Sequence, residues 1–381
     1  MARTRVGVDV GSTAVRVAEV AAGDIPVIVR AAQVPIAPGI VESGEVRQPE
    51  ALAGALRQLW DTSGVKTKQV QLGVGNQRVV VREVALPWLP EKELRETLGF
   101  QVQEFIPMAA DEAVLDFDPL GEIDQGGRRM VRILLVAAHR PMVNALVDAA
   151  LAAKLDPQGI DLTPFAVTRA VGTGDEGLDL DARGDEAIID IGAQVTSICV
   201  HDRGVTRFVR MLPSGGRDIT LALAAGLGVT DDVAERLKRG ESVEALEPRG
   251  EGDVPPPPQG EAGGPLPPQA DRTVSLPPPA EIRDLALTRA LSFVDEIRSS
   301  LEFYAAQMPN ARLGRVLVVG GGSRLEGLLD LLQERLPVPV DRGRLFERVK
   351  SEVELSAEAS TEAEAVLSVA VGLAIPARRL A

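Results

Sequence analysis

Cysteine occurs once in the 381 residues, at Cys199, and histidine twice, at His139 and His201. A lone cysteine excludes an intramolecular disulfide framework and fits a reducing compartment. Its apolar strand neighbours make it buried packing rather than a nucleophile. One cysteine and two separated histidines supply no cluster of zinc type, and no Ser/His/Asp arrangement is present. Aromatic residues make up only 3% of the chain, so its cores must be built from Val, Leu, Ile and Ala. No apolar run approaches the roughly 18 residues of a membrane span. The start Met1-Ala2-Arg3-Thr4-Arg5 enters a strand without the apolar stretch of a signal peptide. These absences predict a soluble, cytoplasmic protein. Positive charge is in deficit, with 41 Lys and Arg against 55 Asp and Glu for a net charge of −14, which disfavours nucleic acid and anionic lipid as direct partners. The length suits two or more domains.

What is present is a short pattern used twice. Val6-Gly7-Val8-Asp9-Val10-Gly11-Ser12-Thr13-Ala14-Val15-Arg16-Val17 is a strand, an Asp, a glycine turn and a second strand. Ala187-Ile188-Ile189-Asp190-Ile191-Gly192-Ala193-Gln194-Val195-Thr196-Ser197-Ile198 repeats it. A third run, Val316-Leu317-Val318-Val319-Gly320-Gly321-Gly322-Ser323, is a strand and a glycine turn opening a helix. Glycine turns let a ligand approach the backbone closely, and successive N–H groups form an anion nest. An Asp ending the strand before such a turn suits a hydrated Mg²⁺ that neutralises phosphates. Two facing hairpins of this kind would clamp a nucleotide's phosphates, and a helix start at Gly320–Gly322 suits an α-phosphate or adenine edge.

Between these motifs, residues 6–20 and 26–34 pattern as strands, and helical spacing from Pro49 puts Leu52, Leu56 and Leu59 on one face. Val70–Gly75 and Val79–Leu86 alternate as strands. A helix follows with Leu94, Leu98, Val102 and Phe105 on one stripe, ending before Pro107. Two strands near Ala113–Asp118 and Arg129–Ala138 and helices near Pro141–Lys154 and Pro164–Val171 complete this region. The second copy leads to the glycine turn Gly215-Gly216 and to a helix from Thr230 or Asp231. Prolines concentrate between Pro248 and Pro279 and predict a disordered, partly polyproline insertion over about 250–279. A long helix over about Ala280–Met308 and a small-residue helix over Ala363–Ile375 follow. Only Pro376–Ala381 remain after it, too few for an amphipathic anchor.

The order of the two Asp turns and the final glycine run resembles the actin, sugar-kinase and heat-shock chaperone superfamily. Further segments narrow the likeness. Glu91-Lys92-Glu93-Leu94 through Glu104-Phe105-Ile106-Pro107-Met108 with Val114-Leu115-Asp116-Phe117, Gly159-Ile160-Asp161-Leu162-Thr163-Pro164-Phe165-Ala166-Val167-Thr168-Arg169-Ala170, and Phe208-Val209-Arg210 with Gly215-Gly216-Arg217-Asp218-Ile219-Thr220 and Ala234-Glu235-Arg236-Leu237-Lys238 are similar to the PilM family of type IV pilus assembly proteins, relatives of FtsA. The proline-rich stretch departs from that pattern.

The resemblance implies an α/β fold of duplicated actin-like (ribonuclease H-like) domains around a nucleotide cleft, with an inserted α+β subdomain. It divides the chain into a first core domain (1–32, 160–186 and 347–381), an insertion (33–159), a second core domain (187–215 and 312–346) and a smaller subdomain (216–311). It implies Mg-ATP in the cleft, with Asp9 and Asp190 on hydrated Mg²⁺ and Gly11, Ser12, Thr13 and Gly192 on phosphate. Arg16 is either a phosphate-facing cation or a solvated strand charge. Glu235 and Lys238, one helical turn apart, would contact ribose and adenine. Gly320, Gly321, Gly322 and Ser323 would line the adenosine side, with Gly215 and Gly216 nearby. Thr168 is the one candidate for positioning water, and slow or absent turnover is expected. The implied partner is the N-terminal cytoplasmic peptide of a PilN-like single-pass membrane protein, seated beside the insertion, which would bring the chain to the inner face of the cytoplasmic membrane; other pilus platform proteins and self-association fit the same role. An FtsA-like division protein and a small-molecule kinase of the same superfamily are the alternatives; the kinase would need an Asp base near an acceptor hydroxyl.

Overall fold

The computed structural model describes residues 4–173, 184–241, 276–308 and 312–377. The insertion expected over about 250–279 lies outside the described residues except for its last four, and the chain after Ala377 lies outside as well. Pro279 opens the long helix Pro279–Gln307, at the first-turn position where a missing N–H costs nothing.

Two mixed sheets form the two halves of the molecule, each built on one Asp-x-Gly copy. The first runs Asp156–Leu162, Gln69–Val74, Thr4–Val10, Ala14–Ala21, Val27–Pro35 and Lys350–Ser351. The second runs Val205–Leu212, Thr196–Asp202, Asp185–Ile191, Leu313–Val319 and Val340–Arg342. In each half the Asp-bearing strand pairs antiparallel with its hairpin partner, setting Asp9 opposite Arg16 and Asp190 opposite Ser197. On its other side it pairs parallel, with Gln69–Val74 or with Leu313–Val319. Such strands are covered on both faces, and their central residues, Val6 and Val8 in one and Ala187, Ile188 and Ile189 in the other, are accordingly apolar and buried.

Helix Pro49–Ser63 starts on Pro49 and stops at left-handed Gly64. It buries Leu52, Leu56 and Leu59 completely, with Trp60, against the first sheet and helix Arg140–Ala152. Each such leucine contributes roughly 1.5–3 kcal/mol of burial free energy. Helices Gly216–Leu227, Asp231–Lys238 and Pro279–Gln307 share one apolar core with the second sheet, through Leu223, Ala234, Val294 and Ile297 among others. Helices Thr163–Val171 and Ser368–Ala374 join the halves, because Ala166, Val167, Ala370 and Val371 pack with Ala18 of the first sheet and Ile188 of the second.

A third sheet stands apart, in the order Val79–Pro87, Arg128–His139, Ala113–Gln125, with helix Glu91–Gln101 on one face. Its separate core gathers Leu94, Leu98, Val102, Phe117, Ile133 and Leu135. The predicted stripe is kept except that Phe105 is only half-buried, in a short 3₁₀ turn after the helix. Gln69–Val74, inside the 33–159 block, pairs in the first sheet with Asp156–Leu162, which crosses the block's end. The segment Gly159-Ile160-Asp161 is thus strand, with an irregularity between Pro157 and Gly159 that hides it from periodicity. The final small-residue helix is two, Ala357–Val366 and Ser368–Ala374, broken at Leu367.

Candidate functional site

The carboxyl ends of the two central strands meet across a cleft of about 580 Å³. Asp9, Gly11, Ser12, Thr13 and Arg16 line it from the first half. Asp190, Gly192, Gly216, Glu235, Lys238, Gly320, Gly321 and Gly322 line it from the second. Asp9 and Asp190, 181 positions apart in sequence, therefore share one space. Two of the expected site residues stand one step behind the surface. Gly215 backs onto the Gly192 and Ala193 carbonyls, where any β-carbon would collide at 2.5 and 2.9 Å. Ser323 is buried, and its hydroxyl donates to the Gly320 carbonyl at 2.7 Å.

The glycine turns are tied to one another. Gly11 N–H donates to the Ala14 carbonyl, and Gly192 N–H to that of Val195, each at 3.0 Å. The second turn also accepts from Gly216 N–H and Arg217 N–H at 3.0 and 2.8 Å, so the start of helix Gly216–Leu227 fixes its shape. Gly320 has φ of +86°, and a β-carbon there would lie 2.4 Å from both Asp190 Oδ1 and the Ile191 carbonyl. Glycine at 320 is required by conformation and by close approach alike.

The carboxylates at the floor are electrostatically frustrated. Burial pushes Asp9 above the ordinary carboxylate range, against the pull of Arg16, whose Nη1 lies 3.2 Å away. Asp190 is pushed up to about 7, by burial first and by the Asp9 charge second, with Arg16 opposing. Two buried acids that each resist ionisation make a donor set for a hard cation, which would restore both charges and lose little by keeping its water. Arg16 faces Asp9 in the cleft rather than solvent, and its Nε has no hydrogen-bond partner among the described residues.

On the opposite wall, Lys238 Nζ donates to Glu235 Oε2 at 2.6 Å, to Thr220 Oγ1 at 2.7 Å and to the Gly216 carbonyl at 2.8 Å. Thr220 and Arg239 also donate to Glu235. Burial would raise the Glu235 carboxyl, but Lys238 foremost, with Thr220 and Arg239, leaves it below its ordinary range. Burial draws Lys238 down against the Glu235 charge. The pair is thus a fixed polar corner of the cleft, not a loose surface ion pair.

Thr168 is corrected. It is buried, and its hydroxyl donates inward to the Pro164 carbonyl at 2.9 Å and to Cys199 Sγ at 3.3 Å, so it positions no water in the cleft. Cys199 is buried filler as expected, with burial pushing its thiol up to about 11. Sequence reasoning missed Gln194, Thr220, Arg217, Asp231 and Glu362, all lining the cleft. Thr220 and Arg217 fall inside the glycine-turn segment and were reachable from it. Glu362 comes from a helix remote in sequence and carried no local signal.

The family model described as type IV pilus assembly protein PilM matches residues 7–245, and that of cell division protein FtsA matches 187–366. A solved structure described as a PilM-PilN type IV pilus biogenesis complex is 26% identical, with a TM-score of 0.76 over 97% of both chains. MreB 5 of Spiroplasma citri, solved bound to AMPPNP, is 14% identical with a TM-score of 0.50, covering 98% of this chain and 95% of its own, a likeness of fold. Cell division protein FtsA of Bacillus subtilis (strain 168) is 28% identical over 182 residues, 47% of this chain but only 39% of that protein's length. The fold is actin-like.

Proposed function

The chain belongs to the type IV pilus assembly protein PilM family, and from that premise we propose that it is an ATP-binding, actin-like scaffold that docks the N-terminal peptide of a PilN-like membrane protein. The observation that carries the nucleotide half is the convergence of Asp9 and Asp190 between three glycine turns. Asp9 and Asp190 hold Mg²⁺ through water. Gly11, Ser12, Thr13 and Gly192 take the phosphates with Arg16 beside them. Gly216, Glu235, Lys238 and Gly320–Gly322 form the nucleoside side, supported from behind by Gly215 and Ser323. The residues fit a hydrated magnesium, because both acids are buried and burial opposes their ionisation, a cost that a nearby cation offsets. Turnover is expected to be slow, since none of the expected residues supplies a base facing the phosphate turns.

The peptide half rests on two strand edges. Ala113–Gln125 is the edge of the small sheet, and Asp156–Leu162 is the edge of the first. They are close enough that Asp161, after burial and Asp116, raises the Asp118 carboxyl. Val114 and Ile160 on these edges are exposed. An unpaired edge with apolar side chains beside it is the site at which an extended peptide adds main-chain hydrogen bonds. The three-stranded unit at 79–139 is accordingly the inserted subdomain, and 36–74 and 140–162 belong with the first core. Membrane contact then runs through the partner. No helix among the described residues is long and apolar enough to cross a membrane.

Calorimetry with Mg-ATP tests the nucleotide half. A ligand at 100 times its Kd stabilises by about 2.7 kcal/mol, so melting should rise by several degrees, and Asp190→Ala should remove most of that rise. Neither heat of binding nor a melting shift with the unaltered chain would overturn the reading.

A further inference from the structure

The segment Val41–Val46 forms a two-stranded hairpin whose turn is Ser43-Gly44. Both turn residues are left-handed, with φ of +47° and +75°. Glycine suits that conformation, whereas serine holds it at a cost of about 1 kcal/mol. What the turn gains is a bridge between the two halves of the molecule. Ser43 N–H donates to Gln194 Oε1 at 2.8 Å, and Gln194 belongs to the second Asp-x-Gly turn. On its other side the hairpin is seated on the root of the small sheet. A β-carbon on Gly44 would lie 2.7 Å from the Gly75 carbonyl and 3.0 Å from Asn76 Cβ. Glu45, nearly buried, pairs with Arg78 at 2.8 Å. Arg78 contacts the His139 ring at 3.4 Å, and the His139 amide donates to the Arg78 carbonyl at 3.3 Å. Residues 78 and 139 are where the chain enters and leaves the small sheet, whose first cross-strand pair is Val79 with Ala138.

We propose that this hairpin is a coupling strut, carrying the position of the second phosphate turn through Gln194, Ser43, Glu45 and Arg78 to the small sheet, so that a nucleotide in the cleft changes the setting of the peptide edge. The inference rests on the nucleotide and peptide readings of the same two sites. Its physical content is a contiguous chain of short polar and close-packed contacts from one site to the base of the other. A ligand that draws the Gly11 and Gly192 turns together moves Gln194 relative to the first half. Ser43 must then follow or let go, and Gly44 is packed too tightly on Gly75 and Asn76 to move alone. Coupling between sites requires such an element with two settings that both ligands bias.

Hydrogen–deuterium exchange on the full chain, with and without saturating Mg-AMPPNP, tests it. In the unaltered chain the nucleotide should protect residues around Gly11–Thr13 and Gly320–Gly322 and also change exchange at 76–82 and 134–141. The second change should be about fivefold or more, the low end of ordinary allosteric coupling. Gln194→Leu removes the acceptor and should abolish the change at 76–82 and 134–141; because Gln194 lines the cleft, the response is read at a Mg-AMPPNP concentration that restores protection of Gly320–Gly322. Glu45→Ala, which frees the hairpin from Arg78 and leaves the cleft untouched, should do the same if Gln194→Leu folds poorly. Ser43→Gly keeps the N–H and the backbone shape and should retain the response. Protected glycine turns with no change at 76–82 in the unaltered chain, or a full response in both Gln194→Leu and Glu45→Ala, would overturn the strut alone. No protection anywhere would overturn the nucleotide reading and the strut with it.

Discussion

In the nucleotide-free chain Asp190 ionises only towards neutral pH, because burial and the Asp9 charge hold its carboxyl up at about 7. A carboxylate whose folded pKa lies above its unfolded value of 3.8 costs stability increasingly as pH rises from about 4 to 7. Asp190→Asn should therefore stabilise the nucleotide-free chain at neutral pH by on the order of 1–2 kcal/mol and so raise its melting temperature. It should also erase the stabilisation by Mg-ATP, and a differential scan with and without ligand measures both. Glu186 behaves in the opposite sense. It is buried at the far end of the same strand, receives Thr173 N–H at 2.9 Å and the Arg315 guanidinium, and lies 3.1 Å from His201 Nε2. Burial would raise it, but His201, Thr173 and Arg315 together bring it down to about 2. Its stabilisation is complete above the unfolded value of 4.5 and is lost as pH falls from there towards 2. Glu186→Ala removes the acidic partner of half-buried Arg315 and of buried His201 and should cost about 2–3 kcal/mol at neutral pH. It should also flatten the acid limb of the stability curve between pH 4.5 and 2, which denaturant melts across that range would record.

At the scale of elements, the strand Leu313–Val319 and its glycine turn depend on one residue without a side chain; the helix expected to open on Gly320–Gly322 is only a 3₁₀ turn, Gly321–Arg324, and the α-helix begins at Leu328. Gly320→Ala places a β-carbon against Asp190 and Ile191 in a left-handed backbone, and should destabilise by about 1–3 kcal/mol. Mg-ATP should no longer protect the chain, as thermal melts will register. This turn was legible in the sequence because a short glycine run after an apolar strand admits few other arrangements. The two Asp hairpins and helix Pro49–Ser63 were legible for the same reason, with period and punctuation agreeing. Three kinds of feature were not. Strand Asp156–Leu162 carries Pro157 and Gly159, which argue against a strand, yet it lies on a sheet edge where proline is tolerated. The hairpin Val41–Val46 has strands of two residues, too short to show alternation. The Glu186, His201 and Arg315 cluster joins residues up to 129 positions apart, and only the parallel pairing of Asp185–Ile191 with Leu313–Val319 brings Arg315 beside Glu186. The cleft residues missed, Gln194 and Glu362, belong to this third class, because their roles come from what faces them rather than from their own segments.

At the scale of the whole molecule, a net charge of −14 and the absence of a membrane-spanning helix among the described residues bear on how the chain reaches a membrane. An anionic bilayer repels such a surface at a distance, screened to about 8 Å at physiological salt. On the proposed reading, attachment comes through short-range contacts with a partner at the edges Ala113–Gln125 and Asp156–Leu162. The chain should remain in the supernatant with bare anionic vesicles. It should pellet with vesicles displaying the N-terminal peptide of the PilN-like partner. The deletion that probes this has to spare Gln69–Val74, since that strand sits between Thr4–Val10 and Asp156–Leu162 in the first sheet and its loss would unfold the half that carries Asp9. Removing 80–137 and joining the ends with a short Gly/Ser turn respects the fold, because Val79 and Ala138 are already cross-strand neighbours. That variant should still be stabilised by Mg-ATP and should no longer pellet with the peptide-bearing vesicles. Pelleting of the unaltered chain with bare vesicles would point instead to a membrane surface of its own, the behaviour expected of an FtsA-like division protein.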